Sequence, residues 1–174
     1  MKIILNIAVS SDGFIADKDG GIGWLPEIDE ELNEQTKFQE FMDSVSIILM
    51  GSKTYEQILS FNVPWPYAGK KTYVFSSRQH ESRPEVEFTK ENVGQTIKRI
   101  RSHDPEIKAW LIGGAELAKS FFENDLVDEV VLSVIPVKLE EGIKLAIPED
   151  KMILKEKNAI CKGIVQEFYV RCKK

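Results

Sequence analysis

Short apolar runs alternate with amphipathic segments along most of this chain. Runs rich in Ile, Leu and Val are typical of strands that are buried on both faces of a sheet. They predict strands at residues 2–9, 46–50, 71–75, 107–112 and 129–135, with a weaker strand at 86–88. Apolar residues at helical spacing predict helices from Pro26 to about Asp43, from Ser52 to Ile58, over 93–102 and directly after Gly114.

Two segments depart from this alternation. Residues 10–21 are rich in Gly and Asp, which argues against regular structure, and apolar residues such as Phe14 and Trp24 favour an ordered loop over a disordered one. Near the end of the chain, residues 152–160 and 164–171 alternate between apolar and polar positions around a short link. This pattern predicts an antiparallel hairpin.

The order of the elements predicts an α/β fold. Strands that alternate with helices form a mostly parallel sheet with helices on both faces, and the terminal hairpin adds an antiparallel edge. Ligands of such sheets bind beyond the carboxyl ends of the strands. Three strand-end segments are therefore expected to share one crevice, at residues 51–54, 76–78 and 113–114.

Gly113 and Gly114 stand where a buried strand turns directly into a helix. A phosphate could approach the backbone there, because no side chain intervenes and the first amides of a helix are unpaired donors. A plain tight turn explains the two glycines equally well when they are considered alone. Gly51 repeats the arrangement before a second helix, and residues 76–78 offer two hydroxyls and a guanidinium. Together these features suggest a phosphorylated dinucleotide, although the three-glycine fingerprint and the Walker loop are both absent from the sequence.

Composition narrows the class of protein. The chain has 174 residues, 43% of them apolar and 29% charged, which predicts one globular domain over residues 1–174. No apolar run approaches the roughly 20 residues of a membrane span, and a formal charge of −5 argues against a nucleic-acid or membrane partner. Cys161 and Cys172 are interpreted as reduced thiols of a cytoplasmic protein. No metal site is expected, because His80 and His103 lie far apart without nearby ligands.

Several motifs follow one another in a characteristic order. They are Ser11-Asp12-Gly13-Phe14-Ile15-Ala16, Trp24, Leu49-Met50-Gly51-Ser52-Lys53-Thr54-Tyr55, Phe75-Ser76-Ser77-Arg78 and Ile112-Gly113-Gly114. In this order they resemble the dihydrofolate reductase superfamily, and most closely the reductase domain of the bifunctional riboflavin-biosynthesis deaminase-reductase. The resemblance covers nearly the whole chain and implies a three-layer α/β/α fold. The zinc deaminase signature of the bifunctional enzyme is absent, which leaves a stand-alone reductase module.

The resemblance implies that the chain binds NADPH and transfers a hydride to a small heterocyclic or sugar-like substrate. Ala8 and Ile15 would flank the nicotinamide. The other implied cofactor-binding residues are Gly51, Ser52, Lys53, Thr54, Ile112, Gly113, Gly114, Ala115 and Glu116 near the diphosphate, and Ser76, Ser77 and Arg78 around the 2′-phosphate. The implied substrate-binding residues are Asn6, Asp12, Trp24, Phe38, Phe41 and Ser133. The resemblance also suggests a homodimer.

Three positions depart from the pattern of these relatives. One is Glu116, whose carboxylate would repel a phosphate if it pointed inward, so it is expected to point outward or to bond a ribose hydroxyl. Dihydrofolate reductases bind the pterin through a carboxylate on the first helix, and the matching region here, residues 35–37, is neutral or basic. Glu31 or Glu34 could replace that carboxylate only if the helix register differs. Relatives usually carry an arginine at the position of Ser52, and Lys53 does not reproduce its bidentate fork. The preference for NADPH over NADH is therefore left open.

Asp12 is the acid that the first motif places beside the nicotinamide. It is a candidate proton relay or substrate anchor, and an aspartate that caps the turn before Gly13 explains it as well. The predicted function is an NADPH-dependent reductase of the 5-amino-6-(5-phosphoribosylamino)uracil type. Two alternatives stay open, a dihydrofolate reductase-like activity on a pterin and a nucleotide-binding protein of this fold without turnover.

Overall fold

The apolar runs form the strands of a central sheet in the computed structural model, which describes residues 1–78, 83–103 and 106–172. The strands are Lys2–Ser10 (β1), Phe14–Ala16 (β2), Ile47–Gly51 (β3), Lys71–Phe75 (β4), Val86–Thr89 (β5), Lys108–Gly113 (β6), Glu129–Ile135 (β7), Ile143–Lys144 (β8), Met152–Ala159 (β9) and Val165–Arg171 (β10). The helices are Glu30–Thr36 (α1), Phe38–Ser44 (α2), Ser52–Ser60 (α3), Val93–His103 (α4) and Ala115–Glu123 (α5).

Strand β1 lies inside an eight-stranded sheet of order β5-β4-β3-β6-β1-β7-β10-β9. The ladders from β5 to β7 are all parallel. Strand β10 pairs antiparallel with both β7 and β9, and it forms with β9 the hairpin that the sequence predicts. The mostly parallel α/β fold with an antiparallel edge is therefore confirmed.

Apolar side chains cover both faces of the sheet. On one face, Ile97 of α4 and Phe121 of α5 pack in a large buried cluster that includes Leu49 of β3. A second cluster joins Tyr55 of α3 to Ile48, the neighbour of Leu49 in the same strand. Successive residues of a strand point to opposite faces. The near-continuous apolar runs therefore supply both layers of core at once.

The single helix predicted over residues 26–43 is wrong in its start and in its continuity. The chain forms α1 and α2, separated by Lys37, whose φ of 53° is left-handed. The side chain of Asp29 caps α1 by accepting a hydrogen bond from the amide three residues later. Asn33 Oδ1 accepts a hydrogen bond of 2.9 Å from the amide of Gln39 in the first turn of α2. These bonds from side chains to backbone set the boundaries, and apolar periodicity does not encode them.

The loop predicted to lack regular structure contains β2, which is a second correction. Strand β2 pairs antiparallel with β8, and the amide of Leu145 donates a hydrogen bond of 3.0 Å to the carbonyl oxygen of Gly13. Strands of two or three residues are too short to show a periodic pattern. The turn predicted at Asp104 and Pro105 lies outside the described residues.

Candidate functional site

The neighbouring strands β1 and β6 pair along only part of their length. Their ladder ends at Leu5 and Leu111, whereas the ladder between β1 and β7 continues to Ser10. Just beyond Leu5, the carbonyl oxygen of Asn6 accepts a hydrogen bond of 2.9 Å from the indole nitrogen of Trp110. The sheet thus opens between β1 and β6 at their carboxyl ends, where ligands of α/β sheets bind.

Two helices begin on glycine at this opening. Gly51 is the N-cap of α3 and Gly114 is the N-cap of α5, and neither makes a side-chain cap. A Cβ atom built on Gly51 would lie 4.0 Å from both the carbonyl oxygen of Gly113 and the amide nitrogen of Gly114. Gly113 has a φ of 118°, which favours glycine, and its peptide bond to Gly114 is cis. The starts of the two helices therefore lie close together, with backbone atoms facing each other at Gly51 and at Gly113–Gly114.

A cleft of about 1400 Å³ extends from this opening along α3 and the loop after β2. We call it the main cleft. Ten of the residues that the sequence assigns to the cofactor line it, namely Ala8, Ile15, Gly51, Ser52, Lys53, Thr54, Ile112, Gly114, Ala115 and Glu116. Gly113 is buried and borders the cleft through its neighbours in the chain.

One wall of the main cleft was not predicted from the sequence. This wall combines the loop at residues 18–23 with Glu56, Gln57 and Ser60 of α3. The sequence does contain a pattern that indicates the helical part of this wall. The three residues of α3 lie three, four and seven positions after Lys53, which places them on the same face of the helix. An extension of that face from the first turn of the helix would have included them.

Ser76, Ser77 and Arg78 follow β4 at the same end of the sheet, but they are not among the described residues that line the main cleft. The hydroxyl of Ser76 accepts a hydrogen bond of 3.0 Å from the amide of Arg78, which forms a local turn. Phe75, directly before this turn, does line the cleft. The chain continues into residues 79–82, which lie outside the described part.

A smaller cavity of about 240 Å³ opens beside the main cleft. We call it the side pocket. Three of the residues that the sequence assigns to the substrate line it, namely Asn6, Phe38 and Ser133. The residues that line both cavities are Ile7, Ala8, Leu25 and Ile112. A molecule in the side pocket would therefore share a wall with a molecule in the main cleft.

Phe41 and Trp24 are not among the described residues that line the side pocket. Phe41 packs edge-on against Trp110, with the ring centroids 5.5 Å apart, and Trp110 itself lines the pocket. Trp24 packs with Leu32 and Ile164, which also line it. The two aromatic residues thus support the wall from behind.

Three polar side chains from neighbouring strands line the side pocket, Asn6 on β1, Ser133 on β7 and Gln166 on β10. Ser133 is the register partner of both Ala8 and Gln166, and Asn6 lies two residues before Ala8 on the same face of β1. The polar side chains of the three strands are therefore close neighbours. Gln166 is only 5% exposed, and its side-chain amide makes no hydrogen bond to the described part of the chain. A buried amide that has no partner among the described residues is suited to hydrogen bonding with a ligand.

Gln166 and Thr36 are pocket residues that the sequence analysis missed. Thr36 is the residue of the 35–37 region that lines the side pocket, and its hydroxyl already donates a hydrogen bond of 2.7 Å to the carbonyl oxygen of Leu32. Glu31 and Glu34 are exposed and are not among the described lining residues. The helix register therefore brings a hydroxyl, and not a carboxylate, to this wall.

Asp12 lies in the turn after β1, and neither cavity includes it among its described lining residues. Its carboxylate accepts hydrogen bonds from the hydroxyl of Ser10 at 2.6 Å and from the amides of Leu139 and Glu140 at 3.2 and 2.8 Å. The bond from Ser10 is the largest cause that lowers the pKa of Asp12 to about 2, and the two amides add to it against desolvation. The carboxylate thus ties the turn after β1 to the segment after β7, and none of these bonds is the local cap of the turn before Gly13 that the sequence suggested.

The described part of the chain offers neither a metal-binding cluster nor a membrane-spanning helix. Among the described residues, no group of three or more His, Cys, Asp and Glu side chains is arranged to hold a metal ion. His103 Nδ1 lies 2.8 Å from the carbonyl oxygen of Arg99, while His80 lies outside the described residues. Across the same residues, none of the helices is both long and apolar enough to cross a bilayer.

Comparisons with known proteins agree on one family. The model of the RibD C-terminal domain matches residues 1–165. YwjB of Bacillus subtilis (strain 168), an uncharacterised protein, is 36% identical over 145 residues, which cover 83% of this chain and 82% of YwjB. YyaP of the same organism, also uncharacterised, is 34% identical over 182 residues and covers 97% of this chain and 94% of its own. The crystal structure of a Shewanella sp. PV-4 protein provisionally assigned to riboflavin biosynthesis matches with a TM-score of 0.85 and 27% identity, over 99% of this chain and 100% of that one.

Proposed function

Because the chain belongs to the RibD C-terminal domain family, a family of riboflavin-biosynthesis reductase-like domains, we propose that it is an NADPH-dependent reductase of a small heterocyclic substrate. The observation that carries this proposal is the wall shared by the main cleft and the side pocket, which includes Ala8 and Ile112. Hydride transfer requires that the donor and acceptor rings lie in contact. A dinucleotide in the cleft and a ring in the pocket would meet at this wall.

The main cleft fits a dinucleotide in its backbone chemistry. Gly51 and Gly114 leave the first amides of α3 and α5 without side-chain caps, and such amides bind phosphate oxygens well. Lys53 adds a positive charge in the first turn of α3, and the exposed carboxylate of Glu116 would suit the hydroxyls of a ribose. When bound, the reduced nicotinamide supplies the hydride.

The side pocket would orient the substrate and exclude water from its reacting carbon. The amides of Asn6 and Gln166 and the hydroxyl of Ser133 would fix the ring, while apolar walls keep water from the reacting carbon. In the acceptor predicted from the sequence, opening of the ribosyl ring would give a C=N bond between C1′ of the sugar and the 6-amino nitrogen. The carbon of that bond would accept the hydride and its nitrogen a proton, which completes a two-electron reduction. No titratable side chain is present among the described lining residues, so water at the mouth would deliver that proton.

The acceptor predicted from the sequence is 5-amino-6-(5-phosphoribosylamino)uracil. The lactam edge of its ring would match the amide and hydroxyl groups of the pocket. A pterin is the second candidate, and the presence of Thr36 where a dihydrofolate reductase needs a carboxylate disfavours it. Measured reduction of a pterin without reduction of any aminouracil would reverse this order.

Titration of nicotinamide fluorescence with NADPH tests the proposal. We expect saturable binding that weakens about tenfold or more in Gly114→Ala, because the new methyl group would stand where the phosphate approaches the helix amides. Gly114 has a φ of −71°, and its Cβ would lie 3.6 Å from Oγ1 of Thr54, so alanine fits the fold. Gly94→Ala in α4 is the matched control. If neither NADPH nor NADH binds to the wild type, the proposal is overturned.

Three further parts of the proposal are open to direct measurement. A single domain over residues 1–174 should unfold in one cooperative transition. A homodimer should appear in analytical ultracentrifugation as one species of twice the chain mass. A cytoplasmic protein should keep the two free thiols, Cys161 and Cys172, reduced in cells.

A further inference from the structure

The opening of the sheet between β1 and β6 coincides with a bulge in β6. The register of β6 against β3 shifts between Leu49 and Met50, which leaves Ile112 as an extra residue of β6. On the other side of β6, the ladder with β1 ends at Leu111, so Asn6 would stand opposite Ile112 if that ladder continued. Bulges redirect side chains and end strand pairing, and they are frequent beside active sites.

The bulge lies in the wall that the two cavities share. Ile112 lines both the main cleft and the side pocket, and so does Ala8 on β1. Paired strands of a sheet lie about 4.8 Å apart, so continued pairing of β1 with β6 would bring the two backbones together at this point. The position of the shared wall therefore depends on what keeps these strands apart beyond the end of their ladder.

The indole of Trp110 replaces the next backbone bond of that ladder. Trp110 is the register partner of Ile4, and its Nε1 donates a hydrogen bond of 2.9 Å to the carbonyl oxygen of Asn6, two residues further along β1. A backbone carbonyl in the interior needs a donor, and it pairs with a neighbouring strand when no other group supplies one. Because the indole supplies the donor, the carbonyl of Asn6 has a partner although the ladder has ended.

The indole itself is held in place by three aromatic rings. Trp110 is only 7% exposed, and its ring packs edge-on against Phe38, Phe41 and Tyr67 with centroid distances of 5.7, 5.5 and 5.8 Å. Edge-to-face packing is a favourable arrangement of aromatic rings, and contacts from three rings restrict the indole to one orientation. The donor is therefore fixed before any ligand binds.

From the bulge, the interrupted ladder and the enclosed indole, we infer that Trp110 is a positioning residue of the hydride transfer, which acts through Asn6 and keeps the wall between the two cavities in place. The inference rests on the proposed reductase function and deepens it. The side chain of Asn6 lines the side pocket, so a bond to its backbone also fixes where the carboxamide meets a substrate ring. Placement matters for the rate, because a displacement of about 1 Å can slow a reaction about 100-fold.

An isosteric replacement of the indole tests the inference. Trp110→benzothienylalanine puts a sulfur in place of the indole N–H, so it removes the donor and keeps the shape of the ring. With 5-amino-6-(5-phosphoribosylamino)uracil as the acceptor, we expect kcat to fall about 10- to 100-fold. The kinetic isotope effect from NADPH deuterated at C4 of the nicotinamide should increase, because hydride transfer then limits the rate. The dissociation constant of NADPH should stay within about twofold, because the helix starts that would bind its phosphates are unchanged.

The same replacement at Trp65 is the matched control. The indole nitrogen of Trp65 is buried and has no hydrogen-bond partner among the described residues, so the loss of its N–H removes no bond. This control should keep the kcat and the isotope effect of the wild type. A kcat that falls equally in the two variants, or an affinity for NADPH that falls as much as kcat does in the Trp110 variant, overturns the inference.

Crystal structures of the wild type and the Trp110 variant give a readout that does not depend on turnover. Without its donor, the carbonyl of Asn6 should turn toward β6, and we expect the backbone at Asn6 and Ile112 to shift by about 1 Å, the displacement that slows transfer. A wall that stays in place overturns the inference. If the wild type does not oxidise NADPH with this acceptor, the proposed function fails and the inference fails with it. If the wild type does so and the variant keeps both its kcat and its wall, the inference alone fails.

Discussion

The side-chain amide of Gln57 donates a hydrogen bond of 2.7 Å to the carbonyl oxygen of Gly20. Both residues line the main cleft, Gln57 from α3 and Gly20 from the loop after β2. The loop has its own internal support, because Asp17 Oδ1 accepts hydrogen bonds from the amides of Asp19 and Gly21 at 2.9 and 2.7 Å. The turn at residues 17–21 is thus ordered by its own hydrogen bonds and is joined to α3 by the bond from Gln57, along one side of the cleft.

We predict that Gln57→Ala weakens NADPH binding about fivefold. One net hydrogen bond contributes roughly 1 kcal/mol, and its loss frees a loop that the bound cofactor must then order again. The dissociation constant and the hydrogen exchange of the loop amides at residues 18–23 are the measurements. Gln95→Ala, an equivalent change on the exposed side of α4, should alter neither. An unchanged dissociation constant would mean that the loop does not contribute to binding.

Replacement of Gly142 by alanine should destabilise the fold by roughly 1–3 kcal/mol, the usual range for overpacking. A Cβ atom at Gly142 would overlap the carbonyl oxygen of Ala16, so that β2 and β8 must separate. Its φ of 154° adds backbone strain. Urea unfolding measures the change in free energy.

Gly69→Ala separates these two causes. Gly69 has a φ of 80°, but a Cβ atom there would meet no atom within 4 Å. The Gly69→Ala variant should therefore be destabilised only by backbone strain, which costs about 1 kcal/mol of unfolding free energy. Equal losses in the two variants would contradict the predicted overlap at Ala16.

Features of this molecule that depend on local sequence patterns could be predicted, whereas features that depend on long-range contacts could not. The positions of the strands followed from apolar runs such as the one that ends at Gly51, since burial on both faces requires them. Gln166 was missed because its position opposite Ser133 depends on the register between β10 and β7, which no local pattern contains. The break at Lys37 was missed for the same kind of reason, because the Asn33 side chain accepts a hydrogen bond from an amide of α2 that lies six residues further along the chain.

The glycines illustrate how far the site itself could be anticipated. Gly51 and Gly114 marked the two helix starts in the sequence, and the structure brings their turns within 4.0 Å of each other, measured from a Cβ built on Gly51. The role of Asp12 could not be settled in this way, because its partners Leu139 and Glu140 lie 127 and 128 residues further along the chain. Residues that act through backbone geometry were thus easier to anticipate than those that act through distant hydrogen bonds.

We expect Lys53 to contribute to a preference for NADPH over NADH. The basic residues among the described lining of the main cleft are Lys18 and Lys53, and Lys18 is already paired with Glu141 at 3.1 Å. Lys53→Met should therefore reduce the ratio of NADPH to NADH affinity by about tenfold, which corresponds to about 1.4 kcal/mol. Fluorescence titrations with both cofactors measure the ratio.

Lys18→Met is the matched control for Lys53, since it removes the same charge from the same cleft. It should leave the ratio within about twofold, because a paired, exposed lysine has little net effect. Loss of the preference in Arg78→Met but not in Lys53→Met would instead assign the 2′-phosphate to the turn at residues 76–78.

Asp12→Asn should lower stability at neutral pH and flatten its dependence on pH in acid. The pKa of Asp12 is lowered to about 2 in the folded protein, below the value of about 3.9 in an unfolded chain. Its carboxylate therefore stabilises the fold fully above about pH 4, and this contribution is lost as the pH falls toward 2. Thermal melts from pH 7 to 2 should show a difference between wild type and variant that disappears at the acid end, whereas Asp150→Asn, at an exposed position, should follow the wild type throughout. Because the carboxylate is held by Ser10, Leu139 and Glu140 and is not among the described residues that line either cavity, we expect kcat to change by less than about twofold. A loss of about 100-fold or more, as for a catalytic acid, would restore the proton relay.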